Sequence, residues 1–270
     1  MYRGSWSRMA VGFLAAAFAA PALAGPFTEA GIPASSSSFV GWATGVSELV
    51  RGPQDIANPG GAQASFGTSA AALGVANNGP VSLGDGGRAT LTFGSLIGNG
   101  PGADFAVFEN SFGSGGGVFA ELGYIEVSSN GTDFFRFPSV SLTQTTTQVG
   151  SFSAIDPTNV YDLAGKHVAL QGTPFDLNEL IGVSSLLDVN AVTQVRVIDV
   201  VGRITSVGAY SPSLDSQGHI INDPYPTAFA SGGFDLDGIG VINVPEPGSL
   251  MVIAIGGLAL ICPRRTRKTN

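Results

Sequence analysis

The 270-residue chain has one cysteine, two histidines and 12% charged residues. The cysteine is Cys262, close to the C-terminal end, so the body holds no disulfide, thiolate metal cluster or thiol nucleophile. His167 lies in a GKH triplet and His219 in QGH, and neither belongs to an HExxH or other ligand spacing. There is no G-x-S-x-G elbow. The glycine run Gly113–Gly117 (GSGGG) is not followed by lysine, so it is no phosphate loop and reads as a flexible loop tip. No catalytic residue is assigned. Bases are scarce: Pro26 to Val244 carries six against 19 acidic residues, a net −13. Such a body repels phosphate backbones, which excludes nucleic acid as a partner.

Glycine is abundant, at 39 residues, about double average usage. Apolar residues reach 44%, enough to build a core. Short apolar strips alternate with Gly, Asn, Asp and Pro clusters. Strands are expected at Ala89–Phe93, Asp104–Glu109, Tyr124–Ser128, Phe134–Phe137, Gln194–Val201 and Ile239–Val244, with Asn130-Gly131 as a hairpin turn. In Gln194–Val201, Val195, Val197 and Asp199 share one face. Ser69–Ala76 and Phe175–Asp188 are candidates for short helices. The pattern predicts an all-β antiparallel β-sandwich over residues 39–243, preceded by a flexible lead over 25–38.

Both ends read as targeting segments. Arg3 and Arg8 precede the apolar run Met9–Ala20, Pro21 breaks it, and Ala22-Leu23-Ala24 fits a small-x-small cleavage site, so residues 1–24 are expected to be a signal peptide. At the other end, Val244-Pro245-Glu246-Pro247 is followed by the uncharged run Leu250–Cys262 and then by Arg264, Arg265, Arg267 and Lys268. Pro247 to Pro263 makes a marginal membrane span, with the cationic end on the cytoplasmic side. This order over residues 244–270 resembles the PEP-CTERM sorting signal, also catalogued as an ice-binding-protein C-terminal motif. The resemblance implies a substrate of exosortase, a membrane-embedded transpeptidase of Gram-negative bacteria. The precursor would be anchored in the inner membrane and cut near Pro-Glu-Pro. The body would then pass to the cell surface or an exopolysaccharide matrix.

Four stretches of the body (VSLGDGG from Val81, GADFAVFEN from Gly102, EVSSNG from Glu126 and GFDLDGI from Gly233) are similar to bacterial cell-surface proteins often paired with such tails, and to discoidin-like jelly-roll modules. That likeness implies a jelly-roll-like sandwich and no assigned activity. Asp104, Glu109, Asn110, Asp199, Asp235 and Asp237 offer oxygens for a Ca²⁺ ion if the fold gathers them, with Asp215 and Asp223 as further donors. The competing reading is turn capping. Tyr210 and Tyr225 are candidates for a loop-borne ligand face. The expected function is that of an exported, non-catalytic surface or matrix protein that binds polysaccharide. The alternatives are an exported glycan hydrolase, with its acids drawn from Glu109, Glu121, Glu126 or Asp199, and an ice-binding or adhesion protein.

Overall fold

The computed structural model describes residues 24–245; the apolar segments of both ends, including Ala22, Glu246, Pro247, Arg264 and Arg265, lie outside them. The described chain is mostly strand with almost no helix, and its principal feature is a large, curled antiparallel sheet. The strands are β1 (Ile32–Pro33), β2 (Gly41–Val50), β3 (Val81–Ser82), β4 (Arg88–Ile97), β5 (Phe105–Glu109), β6 (Phe112–Ser114), β7 (Gly117–Phe119), β8 (Gly123–Ser128), β9 (Phe135–Arg136), β10 (Val140–Ser141), β11 (Val160–Tyr161), β12 (Gln171–Phe175), β13 (Val192–Asp199) and β14 (Asp235–Val241). The main sheet runs β1-β12-β5-β14-β2-β4-β13-β8-β9, with β3 on β14; β6–β7 and β10–β11 form separate ribbons. The architecture is consistent with an all-β sandwich. Among the described residues no helix is long and apolar enough to cross a membrane.

Alternation explains how the layers pack. In β5, Phe105 and Val107 enter the main core with Leu91, Val195, Val197 and Ile239, while Ala106 and Phe108 meet Phe39 and Trp42 on the other side. In β8, Ile125 and Val127 join the main core, and Tyr124 joins a third cluster with Leu122, Ile155, Val160 and Ile221. Strands β5 and β14 are buried throughout, as expected where both sheet faces are covered.

Two strands carry no clean sequence signal. Strand β2 is interrupted by register shifts between Ala43 and Gly45 and between Val46 and Glu48, which break its period of two. Strand β12 contains Pro174, which lacks an amide donor. Its neighbour β1 pairs only with Gln171 and Gly172, so no partner on that side needs the missing N–H. Both helix candidates shrink to single 3₁₀ turns, Ser69–Ala72 and Leu177–Leu180, the second capped by Asp176.

The stretch expected as a flexible lead is docked. The Gly25 amide donates to Thr158 Oγ1 at 2.5 Å, the Phe27 ring lies 5.2 Å from that of Tyr161, and Ile32–Pro33 extends the sheet. The glycine run at 113–117 forms the tip of a hairpin. Gly115 and Gly116, at φ +55° and +89°, turn the β6–β7 hairpin.

Candidate functional site

The end of β5, the β7–β8 connection and the start of β14 converge on three acids. Glu109 ends β5, Glu121 lies in the connection, and Asp235 opens β14. The register brings them together: Leu236 pairs with Glu109, and Asp235 with Ser82. One carboxylate oxygen from each lies within 4.8 Å of the others, and all three side chains are buried.

Each acid has part of its capacity met. Glu109 Oε2 accepts the Ser111 amide at 2.6 Å and the Ser111 hydroxyl. Asp235 accepts the Ser82 hydroxyl, and Glu121 Oε1 accepts the Gly233 amide at 3.0 Å. The Asn110 amide group lies 3.1 Å from Glu109 Oε1 and 3.3 Å from Asp235 Oδ2. With its nitrogen toward them it donates to both; with its oxygen toward them it adds a fourth oxygen ligand.

Burial, then the charge of Asp235, holds the Glu109 carboxyl well above the usual range. Glu121 is raised by burial and by Asp235, Glu109 and Asp199. Asp235 is pushed up to about 7 by burial, against the opposing pull of Ser82 and Arg51. Three more buried aspartates stand behind. Asp199 accepts the Phe234 amide at 2.6 Å and the Gly86 amide at 2.8 Å, Asp223 accepts Leu122 at 2.9 Å, and Asp85 accepts Ile56 at 2.7 Å. Leu122 and Phe234 are the chain neighbours of Glu121 and Asp235, so Asp223 and Asp199 position the backbone that carries those acids. So many buried carboxyls cannot all be ionised without a counter-charge. They hold protons, or a hard cation such as Ca²⁺ ligated through Glu109, Asn110, Glu121 and Asp235.

Asn110, Glu121 and Asp235 also form the floor of a cavity of about 200 Å³ walled by Phe112, Phe119, Phe152 and Phe229. The rings form a chain: Phe112 on Phe119 at 4.7 Å, Phe119 on Phe152 at 6.1 Å, Phe152 on Phe229 at 5.6 Å. Phe112, Phe152 and Phe229 are 48%, 63% and 46% exposed, unusual for phenylalanine.

Of the six cation candidates, Glu109, Asn110 and Asp235 meet, and Asp199 stands behind them. Asp104 and Asp237 are elsewhere. Asp104 accepts the Gly100 and Leu177 amides, each at 2.7 Å, and Asn243 Nδ2 at 2.9 Å. Asp237 accepts the Asn78 and Gly79 amides. A register shift between Leu236 and Gly238 separates it from Asp235. Asp215 caps its own turn and bonds His219.

Both tyrosine candidates contact Arg203: its guanidinium donates to the Tyr225 hydroxyl at 3.3 Å, and the Tyr210 hydroxyl donates to its carbonyl at 3.2 Å. Tyr225 is buried and donates to Asp55 Oδ1 at 2.5 Å; Tyr210 donates to Val201 O at 2.8 Å and lines a cavity with Ile56 and Val207. Glu126 pairs with Arg136 and Arg196. Phe112, Phe119 and Phe152 were invisible as a site in sequence. The one available signal was a phenylalanine on either side of the Gly-Gly turn. No family model matches the chain, and no curated protein matches it.

Proposed function

We propose that this chain is an exported, non-catalytic surface or matrix protein with a jelly-roll-like body, and that it holds polysaccharide in the four-phenylalanine cavity. The observation that carries the binding reading is the cavity itself. Three exposed rings offer apolar platforms to sugar faces, and Glu121, Asp235 and Asn110 offer acceptors, or a bound cation, to hydroxyls. Export rests on the ends: cleavage after Ala24, then sorting by the Val244–Pro247 motif, the apolar run and the Arg264-Arg265 cluster. In this reading an exosortase of a Gram-negative inner membrane is the processing partner.

Two measurements test it. On a glycan array the purified protein should retain a polysaccharide class in the presence of Ca²⁺, and the Phe152→Ala/Phe229→Ala double variant should bind it about tenfold more weakly with an unchanged melting temperature. Equal binding by that variant removes the cavity from the account. For sorting, replacing Pro245, Glu246 and Pro247 by alanine should leave full-length precursor in the membrane fraction, and normal processing would contradict the exosortase reading.

A second reading is favoured by one observation, the placing of two raised-pKa carboxyls, Glu121 and Asp235, side by side under the rings. That arrangement also suits a retaining glycan hydrolase, whose acids stand ~5 Å apart. Polysaccharide turnover abolished by both Glu121→Gln and Asp235→Asn would establish it.

A further inference from the structure

The turn after Asp215 and the chain around β10 enclose an open cleft of about 440 Å³, within the ~300–1,000 Å³ usual for ligand pockets. Ser141, Leu142, Thr143, His219 and Ile220 are among the residues that line it. Both walls are held in place. The buried Asp215 carboxylate accepts the Gln217 and His219 amides of its own turn at 2.9 and 2.8 Å, and the Ser141 amide of the opposite wall at 2.9 Å. Asn222, fully buried, pins the chain beyond Thr143 by donating to Gln144 O at 2.6 Å and Thr147 O at 2.9 Å. Asp215 Oδ2 also lies 3.0 Å from His219 Nδ1. Burial alone would raise the Asp215 pKa, but the three amides and the His219 ring outweigh it and hold the group below its usual range. The ionised carboxylate accepts Nδ1–H, which leaves Nε2 of the neutral, half-exposed ring as an acceptor. On the facing wall Ser141 is only 3% exposed, yet its hydroxyl oxygen has no hydrogen-bond partner among the described residues, and the buried Thr143 Oγ1 has none either.

Buried hydroxyls are nearly always bonded, so two orphans on one wall mark a place where a partner comes from outside the chain. A hard cation does not suit the cleft, because its one carboxylate is already saturated by four donors. An anion does not suit it either. Of the lining residues only His219 can carry charge, and the body around it is net −13. A neutral ligand rich in hydroxyls fits both walls, and Leu142, 46% exposed, adds an apolar platform. We propose that this cleft is a second carbohydrate site that takes a neutral sugar residue of a glycan chain, with its C–H face on Leu142 and Ile220 and its hydroxyls on Ser141, Thr143 and His219 Nε2. The proposal rests on the polysaccharide reading above and extends it. No residue lines both this cleft and the aromatic cavity, so one molecule would hold two glycan segments and gain avidity for a matrix.

The scarcity of histidine makes the cleft readable. In untagged, histidine-labelled protein only two imidazoles, His167 and His219, contribute to an NMR spectrum. The probes are soluble fragments of dextran, mannan and galactan, all neutral. At least one should shift the His219 ring signals saturably and leave those of His167 in place. Ser141→Ala should weaken that response about fivefold, the worth of one hydrogen bond, and should melt no lower than wild type, because it removes an unpartnered hydroxyl. If that variant does not fold, Thr143→Val carries the same test. The Phe152→Ala/Phe229→Ala variant should keep the His219 response, which separates this cleft from the aromatic cavity. A His219 ring indifferent to all three probes would overturn the proposal, and binding on the glycan array would then still support the aromatic cavity alone. Wild-type affinity in both Ser141→Ala and Thr143→Val would also overturn it, since water would then be the partner of those hydroxyls.

Discussion

In a chelator, the melting temperature is expected to fall as pH rises from about 4 to 7, the reverse of ordinary acid denaturation. An unfolded aspartate titrates near 3.9, and burial holds Asp235 at about 7 in the folded protein. Between those values the folded state binds more protons than the unfolded state, so stability declines with pH. Glu109, Glu121, Asp199 and Asp223 are raised in the same direction, chiefly by burial. A shift of about three units at one carboxyl is worth about 4 kcal/mol, a large share of the 5–15 kcal/mol typical of a domain. The drop in melting temperature should be about 10 °C.

Ca²⁺ in large excess should recover much of that loss at pH 8, with about 2.7 kcal/mol returned at a hundredfold excess over its dissociation constant. Asp235→Asn should flatten the pH slope and blunt the Ca²⁺ response. A melting temperature that climbs with pH in chelator, or one indifferent to Ca²⁺ at pH 8, would show that the acids are neutralised in some other way.

Gly233→Ala is expected to be strongly damaging near the site. Gly233 sits at φ +71°, and an added Cβ would lie 2.6 Å from the Gly84 carbonyl carbon. Left-handed backbone costs an alanine ~1–2 kcal/mol, and overpacking against backbone adds ~1–3 kcal/mol. The loop cannot yield easily, because the Gly84 amide donates to Gly232 O at 2.9 Å and the Leu83 amide to Phe234 O at 2.9 Å. The Gly233 amide also holds Glu121, so its displacement should disturb the acidic floor. A loss of about 3 kcal/mol should lower the melting temperature by roughly 6–12 °C, together with the Ca²⁺ response. Gly116→Ala is the control. Its φ of +89° is also strained for alanine, but nothing lies within 4 Å of the added carbon. Equal losses in the two variants would show that backbone conformation, not the close approach to Gly84, governs position 233.

Much of the fold was legible because the pleat leaves a period-two imprint wherever one face is buried. Strand β13 shows it directly: Val195, Val197 and Asp199 are buried, and Arg196 and Ile198 are not. Strand β2 was hidden because its two register shifts move successive residues out of alternation. Strand β12 was hidden behind Pro174, which is harmless only because β1 stops short of it. The docked segment from Gly25 onward looked flexible because its anchors, Thr158, Tyr161 and Lys166, are remote in sequence.

Composition and short-range pattern alone decided that this chain is glycine-rich, acidic, antiparallel and β-built, with ends that resemble export signals, since those properties are local or summed over residues. They also marked Glu109, Asn110 and Asp235 as oxygen donors of interest. Which acids meet was decided by the tertiary structure. Strand β14 pairs with both β3 and β5, and that pairing delivers Asp235 to Glu109 while a register shift takes Asp237 away. The fold also set Glu121 beside them and raised four phenylalanines from separate segments around one mouth. Contacts between residues far apart in the chain depend on strand pairing and loop closure, and neither leaves a signature at any single position.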